Sequence, residues 1–283
     1  MPTIIKSDGS AEAFDSRKLE ESLLRSGAGK HAAHGIAEEV ARTVREGSRT
    51  HDVYRRAFTL LRNETKPVAA RYALRRALLG FGPTGHPFED FVSHLFRKEG
   101  WTVETRKLMK GKCVTHETDF YATRGGENLA AELKYHNDVG YRTDVKVALY
   151  VKSRFDDIWN CESQFQTCPV DRGFLITNTK FTSQAVQYAS CSGVELIGWD
   201  YPARGNLYDR MCFARVYPVT ALSSLKKNEK RLLIEAGVTA CDMLRERKEA
   251  LAAAGLPPER IGETLAEADA LLALPHPYEQ QQF

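Results

Sequence analysis

Residues 118–136, TDFYATRGGENLAAELKYH, place Asp119 in one strand-like run, a turn at Arg124-Gly125-Gly126, and Glu132 and Lys134 in a second strand-like run. Two short apolar runs around a glycine pair read as strands of a hairpin. Side chains alternate along a strand, so Glu132 and Lys134 project from one face while Leu133 points to the other. If the two strands pair, Asp119 joins them on that face. Charge is costly to bury on apolar strands, and two carboxylates held together favour a divalent cation, because their mutual repulsion otherwise raises a pKa. Oxygen donors of this kind suit Mg²⁺ or Mn²⁺. Beside such an ion, a lysine stabilises charge developing on a phosphodiester or orients the attacking water.

Upstream lies HPFEDFVSHLFRKEGW, in which Phe88, Phe91, Val92, Leu95 and Phe96 recur at helical spacing and Gly100 ends the helix. WTVET reads as a strand. Downstream, VKVALYVKSRFDDIW reads as a helix, GFLITN as a buried strand, TSQAVQYASCSG as a helix and VELIGW as a last strand. The layout α-β-β-β-α-β-α-β predicts an α/β domain around a mixed central sheet. The basic cluster RKLMKGK (Arg106, Lys107, Lys110, Lys112) precedes Asp119. It reads as a solvated loop or, given its position beside the acids, as a set of DNA phosphate contacts. His116 and His136 read as exposed loop histidines, and Gln164 and Gln187 as helix residues near the site.

This helix–strand–strand order resembles the PD-(D/E)xK nuclease fold, nearest to the Mrr-like restriction endonucleases and Holliday-junction resolvases, over about residues 85–200. The resemblance implies a catalytic and metal-binding role for Asp119 as the first motif acid and for Glu132, with Lys134, as the (D/E)xK element. It also makes Glu89 the acid on the preceding helix that completes the metal site. Thr118 stands where the family usually has proline, and Glu132 where the more distinctive Mrr members carry glutamine. The rival readings are a nuclease-like domain that only binds nucleic acid, an unrelated α/β domain, and a solvated strand edge.

The first module opens with TIIKSDGSAEAFDSRKLEESLLRSG, where Asp8-Gly9 between short apolar runs signals a hairpin turn. Helices follow around Leu19, Leu23 and Leu24, around Ile36, Val40 and Val44, in HDVYRRAFTLLR with Thr50 as N-cap, and in VAARYALRRALLGFG. This order resembles the ATP-cone, a nucleotide-sensing domain, over about residues 3–80. The resemblance implies that ATP or dATP binds as an effector at Lys6, Glu12, Lys18, Thr50 and Tyr54. Ser7 replaces a second basic residue usual in the family. ATP-cones commonly change subunit contacts, which implies a homo-oligomer. No GxxxxGK[ST] occurs, so hydrolysis by a P-loop is not expected. A plain helical interaction module is the alternative.

Charge follows the same division. Residues 1–80 carry 15 Lys+Arg against 10 Asp+Glu, 81–220 carry 17 against 17, and 221–283 carry 8 against 10. The net charge of +3 over 283 residues does not by itself point to nucleic acid. No apolar run is long enough for a membrane span and no signal peptide opens the chain, so a cytoplasmic location is the expectation. The cysteines lack a CxxC pair and read as reduced, mostly buried thiols, with zinc at Cys161 and Cys168 disfavoured. The tail, ALSSLKKNEKRLLIEAGVTACDMLRERKEAL, reads as helices broken at Gly237: a faint helix-hairpin-helix, or a helical pair packing on the nuclease domain or on a second subunit. The expected domains are thus 1–82 (ATP-cone), 85–218 (nuclease) and 219–283 (helical tail). The function they imply is a metal-dependent DNA endonuclease under nucleotide control. The alternative is a non-catalytic, nucleotide-responsive DNA-binding regulator.

Overall fold

The computed structural model describes residues 2–6, 9–138, 140–161 and 170–276. Asp8 of the expected turn, Ser7, Gln164, Cys168 and the last residues of the tail lie outside them. The chain divides into two compact units, Met1–Gly80 with Tyr217–Phe283, and Phe81–Val216.

In the first unit, β1 (Thr3–Ile5) pairs antiparallel with β2 (Ala11–Ala13), and α1 (Ser16–Arg25) and α2 (Lys30–Thr43) follow. Next, β3 (Ser48–Arg49) pairs parallel with β1 and leads into α3 (Thr50–Glu64). The expected fourth helix is two, α4 (Lys66–Tyr72) and α5 (Leu74–Leu79), broken at Ala73. Thr50 is not the N-cap of α3. Arg49 holds that position, and the Thr50 hydroxyl instead donates to the Ile5 carbonyl at 3.2 Å, tying the helix start to the hairpin. Leu23, Val40, Ala57 and Leu61 are fully buried in one cluster, because their helical spacing puts one apolar face of each helix inward.

The tail belongs to this same unit rather than standing by itself. Leu274 packs on the N-terminal cluster, and buried Arg71 donates to the Pro275 carbonyl at 2.8 Å. The Thr220 hydroxyl donates to the Ala77 carbonyl at 2.6 Å.

The second unit begins with α6 (His86–Lys98), then β4 (Thr102–Lys110), β5 (Thr115–Arg124) and β6 (Glu127–Lys134). It continues with β7 (Arg142–Thr143), α7 (Val145–Trp159), β8 (Arg172–Thr177), β9 (Lys180–Phe181), α8 (Ser183–Ser192), β10 (Val194–Ile197) and α9 (Leu207–Ala214). Back in the tail, α10 (Lys227–Glu235), α11 (Lys248–Ala253) and α12 (Pro258–Leu272) complete the chain, with Gly237 (φ 76°) turning the backbone after α10.

The central sheet has the order β10-β8-β6-β5-β4, parallel from β10 to β6 and antiparallel from β6 to β4. It is the mixed sheet expected. Phe155, Val151 and Ala148 of α7 and Ala185 of α8 are fully buried in the same apolar cluster as Leu175 and Ala130 of the sheet. Gly173 allows the close approach of α7, since a Cβ there would stand 2.6 Å from the Phe155 ring. Among the described residues no helix is long and apolar enough to cross a membrane.

Candidate active site

Asp119 sits in β5 where the sheet's pairing opens. The β5–β6 ladder runs from Arg124↔Glu127 to Phe120↔Ala131 and stops one residue short of an Asp119–Glu132 pair. In its place, the Leu133 backbone N–H donates to the Asp119 carboxylate at 2.5 Å. Pairing with β4 is also interrupted here, between Thr105↔Phe120 and Lys107↔Thr118. The residue skipped on β4, Arg106, has φ 52°, a conformation uncommon for a non-glycine residue. This break in the strand accompanies ion pairs from its guanidinium to Glu89 (3.7 Å) and Asp90 (3.6 Å) of α6. Thr118, at the position of the missing proline, is fully buried and donates to the Lys107 carbonyl at 3.3 Å.

Meanwhile β6 continues alongside β8, through Glu132↔Leu175 and Lys134↔Thr177. The strand alternation puts the Lys134 ammonium 2.6 Å from one oxygen of Glu132. Glu132 is only 4% exposed, a depth at which a carboxylate needs partners. Its other oxygen is taken by Arg154, reaching in from α7. Arg154 also donates to the Glu117 carbonyl at 3.1 Å and to the Tyr150 hydroxyl.

Glu89 lies in the first turn of α6, which Gly85 precedes as N-cap. A Cβ at Gly85 would stand 3.3 Å from the Glu89 carboxylate and 3.9 Å from the Cβ of Tyr135, which follows Lys134. The Phe88 and Tyr135 rings meet at 5.6 Å, packing the start of α6 against the end of β6.

The electrostatics show the crowding. Burial first, then the Glu132 charge and, more weakly, that of Glu89, push the Asp119 carboxyl up to about 7; the Leu133 N–H and Lys134 oppose the shift. Burial also raises Glu89, partly countered by His86 and Arg106. His136 is lowered by burial and by Lys134. Its ring stacks on Tyr141 at 3.9 Å, and Asn178 brackets its backbone with bonds of 2.9 and 2.8 Å. It is a half-buried, anchored residue rather than an exposed loop histidine.

Among the described residues no three acidic, histidine or cysteine side chains stand close enough together to hold a metal ion as they are placed. The donor set is one of hard oxygens and fits Mg²⁺ or Mn²⁺. In the present arrangement, however, both oxygens of Glu132 face cationic side chains.

The basic cluster is not a loop. Arg106, Lys107 and Lys110 lie on β4, the edge strand of the sheet, and only Lys112 lies in the following turn. Lys107 pairs with Glu104, whereas Lys110 and Lys112 are exposed. Asp157 of α7 clasps that turn through the N–H groups of Cys113 (2.8 Å) and Val114 (3.2 Å) and through His116 (2.8 Å). His116 thus lies on β5 as a hydrogen-bond partner of Asp157, and that contact is the largest cause holding Asp157 well below the usual carboxylate range. Gln187 is exposed on α8. The described cysteines carry no disulfide, but Cys113 and Cys191 are exposed, so the thiols are not mostly buried.

In the first unit, Lys6 and Lys18 both reach Glu12, the latter at 2.5 Å. These contacts hold the Glu12 carboxyl down to about 2, with Lys18 the larger cause. The Tyr54 ring stacks on Tyr72 at 5.1 Å and lies under Arg76 at 4.3 Å. Its hydroxyl is buried without a hydrogen-bond partner, and burial raises it to about 12.

The mixed sheet with its flanking helices, opened at an acidic cluster beside a lysine, defines a restriction-endonuclease-like domain. Residues 83–201 match the Mrr_cat family, described as "Restriction endonuclease". Residues 217–272 match a family described as "AF1548-like, C-terminal". An uncharacterized protein of Archaeoglobus fulgidus is 34% identical over 178 residues, 62% of this chain and 97% of that protein. The crystal structure of AF1548, a protein of unknown function, is similar with a TM-score of 0.54 at 30% identity, covering 67% of this chain and 98% of that one. MspJI restriction endonuclease, solved with a 27-mer oligonucleotide, has a TM-score of 0.33 at 15% identity, covering 76% of this chain and 40% of that one. The chain belongs to the AF1548-like family.

Proposed function

We propose that the second unit is a metal-dependent DNA endonuclease domain and that the N-terminal module is an ATP-cone-like sensor of ATP or dATP. The observation that carries this reading is Asp119, raised to about 7 by burial and by the Glu132 and Glu89 carboxylates, on strands that also carry Lys134. A divalent cation relieves that repulsion. Asp119 and Glu132 would hold it, with Glu89 as an auxiliary ligand. When bound, such an ion supplies Lewis acidity at a phosphate oxygen and lowers the pKa of a coordinated water.

The protein's own residues do the rest. The Leu133 N–H fixes the orientation of Asp119. Lys134, 2.6 Å from Glu132, is placed to stabilise charge developing on the phosphodiester. Arg154 fixes the Glu132 carboxylate from the helix side and acts as a positioning residue. Exposed Lys110 and Lys112 are the most available phosphate contacts, while Arg106 and Lys107 must first leave carboxylate partners. In the N-terminal module, Lys6 and Lys18 exchange Glu12 for a nucleotide phosphate, and binding shifts contacts between subunits of a homo-oligomer.

A second reading, a non-catalytic nucleotide-responsive DNA-binding regulator, draws on the two cations that occupy Glu132. Incubating the protein with plasmid DNA and Mg²⁺ or Mn²⁺, with and without ATP or dATP, separates the two. Nicking that requires metal and stops with chelator supports the nuclease. DNA binding without cleavage under every condition supports the regulator.

A further inference from the structure

At the pole of the sheet away from Lys134, three arginines meet. A cavity of about 290 Å³ is lined by Arg124, Arg172 and Arg210, by the aromatic rings of Phe96, Trp101 and Phe174, and by Glu99 and Leu129. Arg124 ends β5, Arg172 begins β8, and Arg210 comes from α9. The pairs Leu129↔Arg172 and Lys134↔Thr177 lie at opposite ends of the same ladder, so the cavity is roughly 17 Å from the candidate active site at the usual strand rise.

Each guanidinium lies over an aromatic face: Arg124 over Trp101 at 4.2 Å, Arg210 over Phe96 at 4.5 Å and Arg172 over Phe174 at 4.8 Å. Their carboxylate partners are uneven. Arg172 is gripped by Glu195 and Glu127, and Arg210 by Glu99. Arg124 is held by the Glu99 backbone carbonyl (3.0 Å) and the Trp101 ring, neither of which carries a full negative charge. The Nε of Arg210 is buried without a partner. Burial lowers the Arg210 pKa, Glu99 opposes the shift, and the Arg124 and Arg172 charges add smaller lowering contributions.

Guanidinium N–H donors that the neighbouring carboxylates leave over in a part-buried cavity, as at Arg124, suit an oxyanion that accepts in the guanidinium plane. We propose that this cavity binds a phosphate group, either free phosphate or the terminal phosphate of a nucleic-acid strand, entering past exposed Arg124. The site is separate from the candidate active site.

Calorimetric titration of the full chain carrying Lys6→Ala and Lys18→Ala, with chelator present, removes phosphate binding at the hairpin and any DNA cutting. The probes are inorganic phosphate and one oligonucleotide with either a 5′-phosphate or a 5′-hydroxyl. Saturable binding that weakens at least about tenfold in Arg124→Ala, recovers partly in Arg124→Lys, and persists in Asp119→Asn is the expected result. A 5′-phosphate preference that disappears in Arg124→Ala identifies a strand end as the source. Equal binding of the two oligonucleotides, with Arg124-dependent binding of inorganic phosphate, identifies the free anion. No saturable binding of either phosphate probe up to about 10 mM, or equal affinity with and without Arg124→Ala in that background, would overturn the proposal. Because these readouts need no cleavage, they stand apart from the nuclease reading.

Discussion

The Leu133 backbone N–H donates to the Asp119 carboxylate at 2.5 Å, in the place where a backbone carbonyl would continue the β5–β6 ladder. A side chain thereby completes the sheet, and the acid is fixed beside Glu132. Asparagine retains an acceptor for that N–H but removes the charge. Asp119→Asn is therefore expected to abolish metal-dependent cleavage while stabilising the metal-free protein at pH 8. The gain is about 1–2 kcal/mol, or roughly 2–6 °C in Tm. Differential scanning calorimetry with chelator checks it; an unchanged or lower Tm would show that the Asp119 charge carries no cost.

The same carboxyl sets a pH dependence. Its folded value of about 7 lies above the ordinary 3.8, so the folded state retains a proton that the unfolded chain releases between those values. The associated stabilisation is complete below pH 4 and is lost as pH rises towards 7. Cation binding needs the deprotonated form, so Mn²⁺ affinity is expected to rise over the same interval and level off above about 7. Calorimetric titration from pH 5.5 to 8.5 measures it, and a flat affinity would remove Asp119 from the ligand set.

Arg154 ties α7 to buried Glu132. Removing one of its two cationic partners leaves one Glu132 oxygen unpaired while Lys134 still holds the other, at about 1–3 kcal/mol. Arg154→Ala is expected to lower stability by that order. The loss should shrink when Glu132→Gln is added, because the remaining charge is then gone. Chemical denaturation of the four proteins closes the cycle; additive losses would mean that the two side chains are not coupled.

Lys6 and Lys18 converge on Glu12, which holds them at the hairpin until a phosphate replaces it. Lys6→Ala and Lys18→Ala are each expected to weaken ATP or dATP binding about tenfold, the scale of one charge-assisted phosphate contact. Wild-type affinity in both variants, measured by equilibrium titration, would remove this module from the nucleotide-binding account.

The alternation of Glu132 and Lys134 was legible in the chain because strand geometry alone sets it. The amphipathic spacing of α6 and the apolar run of β8 were legible for similar reasons. What a linear reading missed depends on tertiary placement. Arg154 is one charge on a helix, and nothing local marks it as the residue that reaches Glu132. The charged run Arg106–Lys110 reads as solvated chain, yet it forms an edge strand, where charge is common because it discourages pairing with another chain. Ala73 carries no helix-breaking signal, although α4 ends there. The tail's apolar positions indicate a packed face, expected against the nuclease domain or a second subunit; Leu274 instead packs on the N-terminal cluster.

Single-turnover cleavage of plasmid DNA in saturating Mg²⁺, comparing the wild type with Lys134→Ala, tests the account most directly. Losing one electrostatic stabiliser should slow cleavage by about 100–1,000-fold. DNA affinity should be retained, because phosphate contacts elsewhere supply most of it. Cleavage by Lys134→Ala at the wild-type rate would contradict the account and leave the Glu132–Lys134 pair a structural ion pair at the end of β6.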